Sequence, residues 1–270
     1  VNGARDWEAQ EPRRPGVIRR VLPTALAFVI ILGGLAYLRG DLQELLGTAP
    51  GSPRSAAATH RVYEETGPID ARCDTLPEDI NADPATSLRA LSKCLDRMWA
   101  ATLEQADLDY ERPREVRLVS AREKAVCGID DYDWAGIYCP QRRAVNVLVE
   151  DWRAFPMMFT LAHEYAHHVQ EISGIADQRG SEAFDEAWSR RLELQADCLA
   201  AVTLRTAWPN LLENFRRQAG RSSGSVDEQE AGYVKSHGSG ASSAAWMLRG
   251  RQMGTVAACN TWGAPADQVS

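Results

Sequence analysis

The 270-residue chain is 44% hydrophobic and 25% charged, which is ordinary for a globular protein and leaves enough apolar material for a real core, in one domain or two small ones. Its net charge of −7 weighs against a general nucleic-acid binder. Its six cysteines gain meaning only with a compartment, since an even number reads as disulfides outside the cytosol and as metal or chance thiols inside it.

Residues 1–20 form a polar tail containing Arg and Pro, expected to be cytoplasmic. Residues 21–38, VLPTALAFVIILGGLAYL, carry no charge. A spanning helix needs about 20 apolar residues, roughly 17 to 25, and Pro23 and Gly33-Gly34 are tolerated in membranes. Arg13, Arg14, Arg19 and Arg20 precede the run, whereas Arg39 and Asp41 follow it. The positive-inside rule then keeps the N-terminus in the cytoplasm and sends the rest across. A cleaved signal peptide is the competing reading, but no small-x-small site lies close behind the apolar run. Residues 39–64, with GTAPGSPRSAAATH at 47–60, read as a linker, and the folded domain is expected over 65–270.

Within that domain, Pro84 suits the first turn of a helix over 84–108, whose stripe is Leu88, Leu91, Leu95, Met98, Trp99 and Leu103. VRLVS (116–120), GIYC (136–139) and AVNVLV (144–149) read as strands. Pro156 opens a helix that stops at Gly174, and a further helix spans 181–207, before Pro209. Ser225 and Glu228 form a capping-box pattern, and a last helix covers about 241–253. Helices outnumber strands, and the strands cluster ahead of the helix from Pro156. The fold class is α+β.

Three of the five histidines lie in LAHEYAHHVQ, residues 161–170. His163-Glu164-x-x-His167 is the zinc-hydrolase pattern. Residues i and i+4 share a helical face, so both imidazoles can reach one metal. Glu164 lies about 100° further round, where its carboxylate reaches a water rather than the metal. A catalytic zinc takes three protein ligands and leaves one position open. Glu193-x-x-x-Asp197, in RRLELQADCL, again places two acids on one face, in apolar company that favours a cation. Glu193 is the candidate third ligand, and Asp197 the acceptor for the outward N–H of a ligating histidine. His168 points away from that face and reads as a satisfied polar residue at the helix flank. His60, in the linker, is assigned no role.

These residues resemble the bacterial neutral zinc metallopeptidases, a membrane-anchored family of gluzincin type. The resemblance is carried by Cys127-Gly128, Ile137-Tyr138-Cys139-Pro140, His163-Glu164 through His167-His168-Val169-Gln170, and Leu192-Glu193-Leu194-Gln195-Ala196-Asp197-Cys198. It extends to Ser236-His237-Gly238-Ser239 and Cys259-Asn260-Thr261-Trp262. Ala166 stands where the family carries glycine. The resemblance implies a zincin-like domain of a small sheet plus active-site helices, a Zn²⁺ cofactor and peptidase activity on a peptide or protein substrate. In that reading His163, His167 and Glu193 bind the metal and Glu164 is the general base. The resemblance also lends His237 weight as an oxyanion donor beside its alternative as a surface residue, with glycines 238 and 240 suggesting unusual backbone angles. An extended peptide is expected to pair with the sheet edge through AVNVLV or a neighbouring strand. The cysteines are expected to pair as Cys73–Cys94, Cys127–Cys139 and Cys198–Cys259, the second pair closing a loop that contains Asp130, Asp131 and Asp133. Two rival readings are an inactive zinc-bound module at the membrane and a hydrolase of another amide, such as a cell-wall component. No nucleic-acid partner is expected.

Overall fold

The computed structural model describes residues 56–70, 73, 76–127, 134–149, 154–176, 185–209, 212–222 and 236–270. The expected tail, membrane span and most of the linker lie outside these residues, as do Asp130, Asp131, Asp133 and the Ser225/Glu228 pattern. Among the described residues, no helix is long and apolar enough to cross a membrane.

The domain begins before residue 65. A turn of 3₁₀-helix, Ala56–Thr59, and a short helix α1, Val62–Glu65, place Ala57, Val62 and Tyr63 in the core. The Gly/Pro/Ser/Ala composition of 47–60 suggested a linker throughout, yet its C-terminal end is structured, with Ala57 buried in the core. Asn260 Nδ2 adds a hydrogen bond to the Ala58 carbonyl at 2.8 Å.

Helix α2, Pro84–Gln105, starts where the sequence indicates. Asp83 caps it, accepting from the Thr86 N–H at 3.0 Å, with Pro84 in the first turn. Its apolar stripe, Leu88 to Leu103, is fully buried. Burying each such side chain is worth about 1.5–3 kcal/mol, so the stripe holds α2 against the core far more firmly than its cap does.

The sheet has three strands in the order β1-β3-β2: β1 is Glu115–Val119, β2 Gly136–Cys139 and β3 Ala144–Leu148. β1 runs parallel to β3, and β2 antiparallel to it, with Tyr138 opposite Val145. AVNVLV is therefore the central strand, paired on both sides, and offers no free edge. The edges belong to β1 and β2. A continuous apolar run with Asn146 buried in it is the pattern of a strand covered by neighbours.

Helix α3, Ala154–Ile172, carries the HExxH segment and is buried along most of its surface. Gly174 (φ 81°) supplies the left-handed turn that follows it. Helix α4, Glu186–Ala207, is capped by Asp185 and packs on α3. Helix α5, Leu212–Ser222, was not read from the sequence although it is amphipathic; Phe215 is buried and stacks edge-to-face on Phe155, with centroids 5.1 Å apart. Helix α6, Gly240–Met253, packs on α4. The approach is close at Gly250, where an added Cβ would lie 2.3 Å from the Cys198 carbonyl oxygen, so a larger residue would force the helices apart.

The disulfides are Cys73–Cys94, Cys127–Cys139 and Cys198–Cys259, the pairing expected from the sequence. The first fastens the N-terminal segment to α2, the second ties the segment after β1 to β2, and the third joins α4 to the C-terminal segment. No cysteine among the described residues is free.

Candidate metal centre

Helical geometry puts His163 and His167 on one face of α3, and the docking of α4 across that face brings Glu193 to them. His163 Nε2 lies 3.1 Å from His167 Nε2, and each lies 3.2 Å from Glu193 Oε2. The three donor atoms thus form a nearly equilateral triangle. Zinc bound tetrahedrally at about 2.0–2.1 Å would separate its N and O donors by about 3.3–3.4 Å, so the cluster fits a single zinc ion. Among the described residues, these three form the group able to hold a metal. Their side chains are 13–19% exposed, which leaves an approach from solvent on one side.

Charge gives the same answer. Two imidazole nitrogens and a carboxylate oxygen converge in a mostly dehydrated place, which is costly without a cation. Burial alone would lower the pKa of His163, but hydrogen bonds to Asp197 and Glu193 and the charges of Asp197 and Glu164 outweigh it and raise the pKa well above the ordinary histidine value. At His167 burial is likewise overcome, here chiefly by the Glu193 charge. Burial pushes Glu193 up, yet the histidines around it hold it well below the usual carboxylate range. Each ligand therefore favours positive charge at the centre.

The outward nitrogen of His163 is held by Asp197: Nδ1 lies 3.0 Å from Asp197 Oδ1, and the other carboxylate oxygen accepts from the Ser243 hydroxyl of α6 at 2.5 Å. Asp197 thus stands where the i, i+4 spacing from Glu193 suggested, while Ser243 carried no sequence signal. The outward nitrogen of His167 meets Gln170 Oε1 at 2.8 Å. Its position three residues along the same helix, in HHVQ, was a signal available but unused.

Glu164 is buried beside the cluster and is not one of the three converging donors. Burial raises its pKa, opposed by the two histidines and by the Tyr138 backbone N–H that donates to it. The β2 edge strand therefore reaches the site directly. It can do so because residue 136 is glycine: a Cβ there would sit 2.4 Å from Thr160 Cγ2 and 2.9 Å from Glu164 Oε1.

His237 flanks the cluster on its Glu193 side. Its Nε2 lies 3.6 Å from Glu193 Oε2, and its Nδ1 lies 2.8 Å from Ser236 Oγ. Burial lowers its pKa, against the pull of the Glu193 charge. The ring is brought there by a turn through Gly238 (φ 83°), whose backbone L side chains rarely adopt. Gly240, by contrast, simply begins α6.

His168 has a partner at each ring nitrogen and lies in the interior. It is fully buried on the far side of α3, with Nε2 donating to the Glu111 carbonyl at 2.6 Å and Nδ1 at 3.0 Å from the Tyr138 hydroxyl. His60 Nδ1 accepts from the Val62 N–H at 3.3 Å and takes no part in the cluster.

The comparisons agree with this geometry. Residues 5–262 match the family model described as "Putative neutral zinc metallopeptidase". Among curated proteins, YpfJ of Escherichia coli K12 is 25% identical over 226 residues, covering 73% of this chain and 78% of the relative. Rv2575 of Mycobacterium tuberculosis H37Rv is 27% identical over 254 residues, covering 82% and 85%. Both are described only as uncharacterized proteins. No solved structure shows significant similarity to the chain. With a family match running from near its start through the metal cluster to Trp262, the chain belongs to the neutral zinc metallopeptidase family.

Proposed function

We propose that the domain hydrolyses peptide bonds with a zinc ion held by His163, His167 and Glu193. The observation that carries this reading is the donor triangle with 3.1–3.2 Å sides and the buried, non-ligating Glu164 beside it. A purely structural zinc site is closed by four protein ligands and needs no adjacent base, which disfavours an inactive module.

When bound, zinc supplies Lewis-acid polarisation of the scissile carbonyl and lowers the pKa of the attacking water toward about 7. Glu164 takes that water's proton and passes it to the leaving amine. Its raised pKa suits both steps, since an effective general base titrates near the working pH. Asp197, steadied by Ser243, keeps His163 oriented with its inner nitrogen free. His237 supplies a hydrogen bond to the developing oxyanion. A hydrogen bond donated by the Ser236 hydroxyl to Nδ1, 2.8 Å away, would leave the proton of the neutral ring on Nε2, the nitrogen nearer the cluster. An extended substrate lies along the edge of β2, the strand whose Gly136 and Tyr138 border Glu164.

The domain works outside the cytoplasm, anchored by residues 21–38 with the N-terminus inside. The uncharged run, its arginine-rich leading flank and the three disulfides support this placement. Protease added to spheroplasts should digest residues 60–270, and full protection would reverse the topology.

The deciding experiment is metal analysis of the purified full chain together with cleavage of a peptide library and of cell-wall fragments. One zinc per chain and metal-dependent peptide cleavage are expected. Cleavage of wall fragments alone would make the protein a hydrolase of another amide. Bound zinc with neither activity would make it a binding module.

A further inference from the structure

We infer that Gln170 and Gln195 form a polarised amide relay that fixes the tautomer of His167, resting on the reading of His167 as a metal ligand. Both glutamines are fully buried. Gln170 Oε1 lies 2.8 Å from His167 Nδ1. Its Nε2 donates to the Leu192 carbonyl at 2.8 Å and to Gln195 Oε1 at 3.1 Å. Gln195 Nε2 in turn donates to the Tyr63 hydroxyl at 2.6 Å and to the Cys259 carbonyl at 3.0 Å.

The two ends of an amide have nearly the same shape, so the direction of such a chain must be argued from its fixed partners. Here there are two. A backbone carbonyl only accepts, so the Cys259 oxygen requires the NH₂ end of Gln195. That leaves Gln195 Oε1 facing Gln170. The Leu192 oxygen independently requires the NH₂ end of Gln170, and the same end meets Gln195 Oε1. Every N–H of both amides is then used. Reversing either one would set oxygen against oxygen at a fully buried position. Gln170 Oε1 is therefore the atom presented to His167, and it can only accept. His167 Nδ1 carries the proton, and Nε2 turns its lone pair toward His163 and Glu193, the form a metal requires.

The two ligating histidines are thus set by different means. His163 meets a carboxylate, whereas His167 meets a neutral amide whose orientation is imposed from α4, from the C-terminal segment and from Tyr63 on α1. Gln170 and Gln195 are positioning residues.

The test is the affinity of the full-length chain for Zn²⁺, measured by competition with a chromophoric chelator, with thermal midpoints of the metal-free proteins recorded alongside. Gln170→Leu, similar in volume and unable to hydrogen-bond, should weaken zinc binding by about 10–100-fold. Gln170→Glu keeps an accepting oxygen for Nδ1 and should bind zinc more tightly than Gln170→Leu, although its second oxygen then faces the Leu192 and Gln195 oxygens and makes it the worse core residue. A role limited to packing predicts the reverse order. Gln195→Met should weaken binding by a smaller factor and add little on top of Gln170→Leu, because both act through one hydrogen bond to His167. Should Gln170→Leu not fold, Gln195→Met alone carries the test. Variants that bind zinc as tightly as the wild type, or losses that multiply in the double variant, would overturn the relay while leaving the metal site intact. A wild-type chain that binds no zinc would instead overturn the metal reading itself, and the relay with it.

Discussion

The two faces of helix α3 make opposite use of the same side chain. His167 and His168 are consecutive and both lie in the interior, yet one turns into a cluster of converging donors and the other into a satisfied polar pocket. On the metal-facing side, His167 meets His163 and Glu193. On the far side, His168 bridges the Glu111 carbonyl and the Tyr138 hydroxyl, while that hydroxyl also lies 2.7 Å from Glu171 Oε2 and Tyr165 lies 3.0 Å from Ser92 Oγ. Burial lowers both histidine pKa values, but only at His167 does a buried carboxylate overcome it. A buried histidine is placed to hold a metal where other donor atoms converge on it, and is structural where each nitrogen already has a partner.

The sharpest contrast is expected from Glu164→Gln. This variant should retain one zinc per chain and lose about 10²–10⁴ in kcat, the usual worth of a general base. Near wild-type turnover with zinc bound would remove Glu164 from the mechanism. His237→Ala should lower kcat by about 10²–10³, equivalent to about 2.7–4 kcal/mol of transition-state stabilisation, with zinc content and KM little changed. Unchanged kcat would return His237 to a surface role, and lost zinc would make it a ligand or its support.

A third prediction separates ligands from their partners. His163→Ala and Glu193→Ala should fail to retain zinc through a desalting column, whereas Asp197→Asn should weaken binding by about 10–100-fold without abolishing it. Equal affinities for Glu193→Ala and the wild type would place the third ligand elsewhere.

Acidity should act on the metal-facing side first. In the metal-free cluster the pKa values of His163 and His167 are raised, so protons compete with zinc even above the ordinary histidine value of 6.5. Zinc affinity should be complete above those raised values and fall as pH drops through them, by up to about tenfold per pH unit for each proton displaced. An affinity that stays flat as pH falls to the ordinary histidine value of about 6.5 would contradict the electrostatics of the cluster.

The smallest effect on function, and the one that tests the comparison itself, belongs to the far face. His168→Ala should leave zinc stoichiometry and kcat near the wild type and cost about 1–3 kcal/mol of stability, since it removes a fully buried ring and the hydrogen bonds of both its nitrogens. Denaturant titration measures the cost. Loss of zinc in this variant would mean that the two faces are not separable.

Much of the site was legible because its spacing is local. A helix repeats every 3.6 residues, so i and i+4 fall on one face whatever surrounds them. That fixed the pairing of His163 with His167 and of Glu193 with Asp197, just as the apolar stripe of α2 and its start at Pro84 were fixed. The strands at 115–119, 136–139 and 144–148 were legible from their β-branched and apolar runs. What the sequence left open depended on which elements dock together. Nothing local says that β3 is central and β2 the edge strand, that Gly136 lets β2 reach Glu164, or that Ser243 steadies Asp197 from 46 residues away. His168 differs from His167 by one step round the helix, and only the approach of Tyr138 and Glu111 makes it structural. Tyr63, in a stretch whose composition reads as linker, meets Gln195 across 132 residues. Helical periodicity decides which side chains share a face, but the partner each polar atom finds is decided by the packing of distant segments, where every buried donor and acceptor must be matched at once.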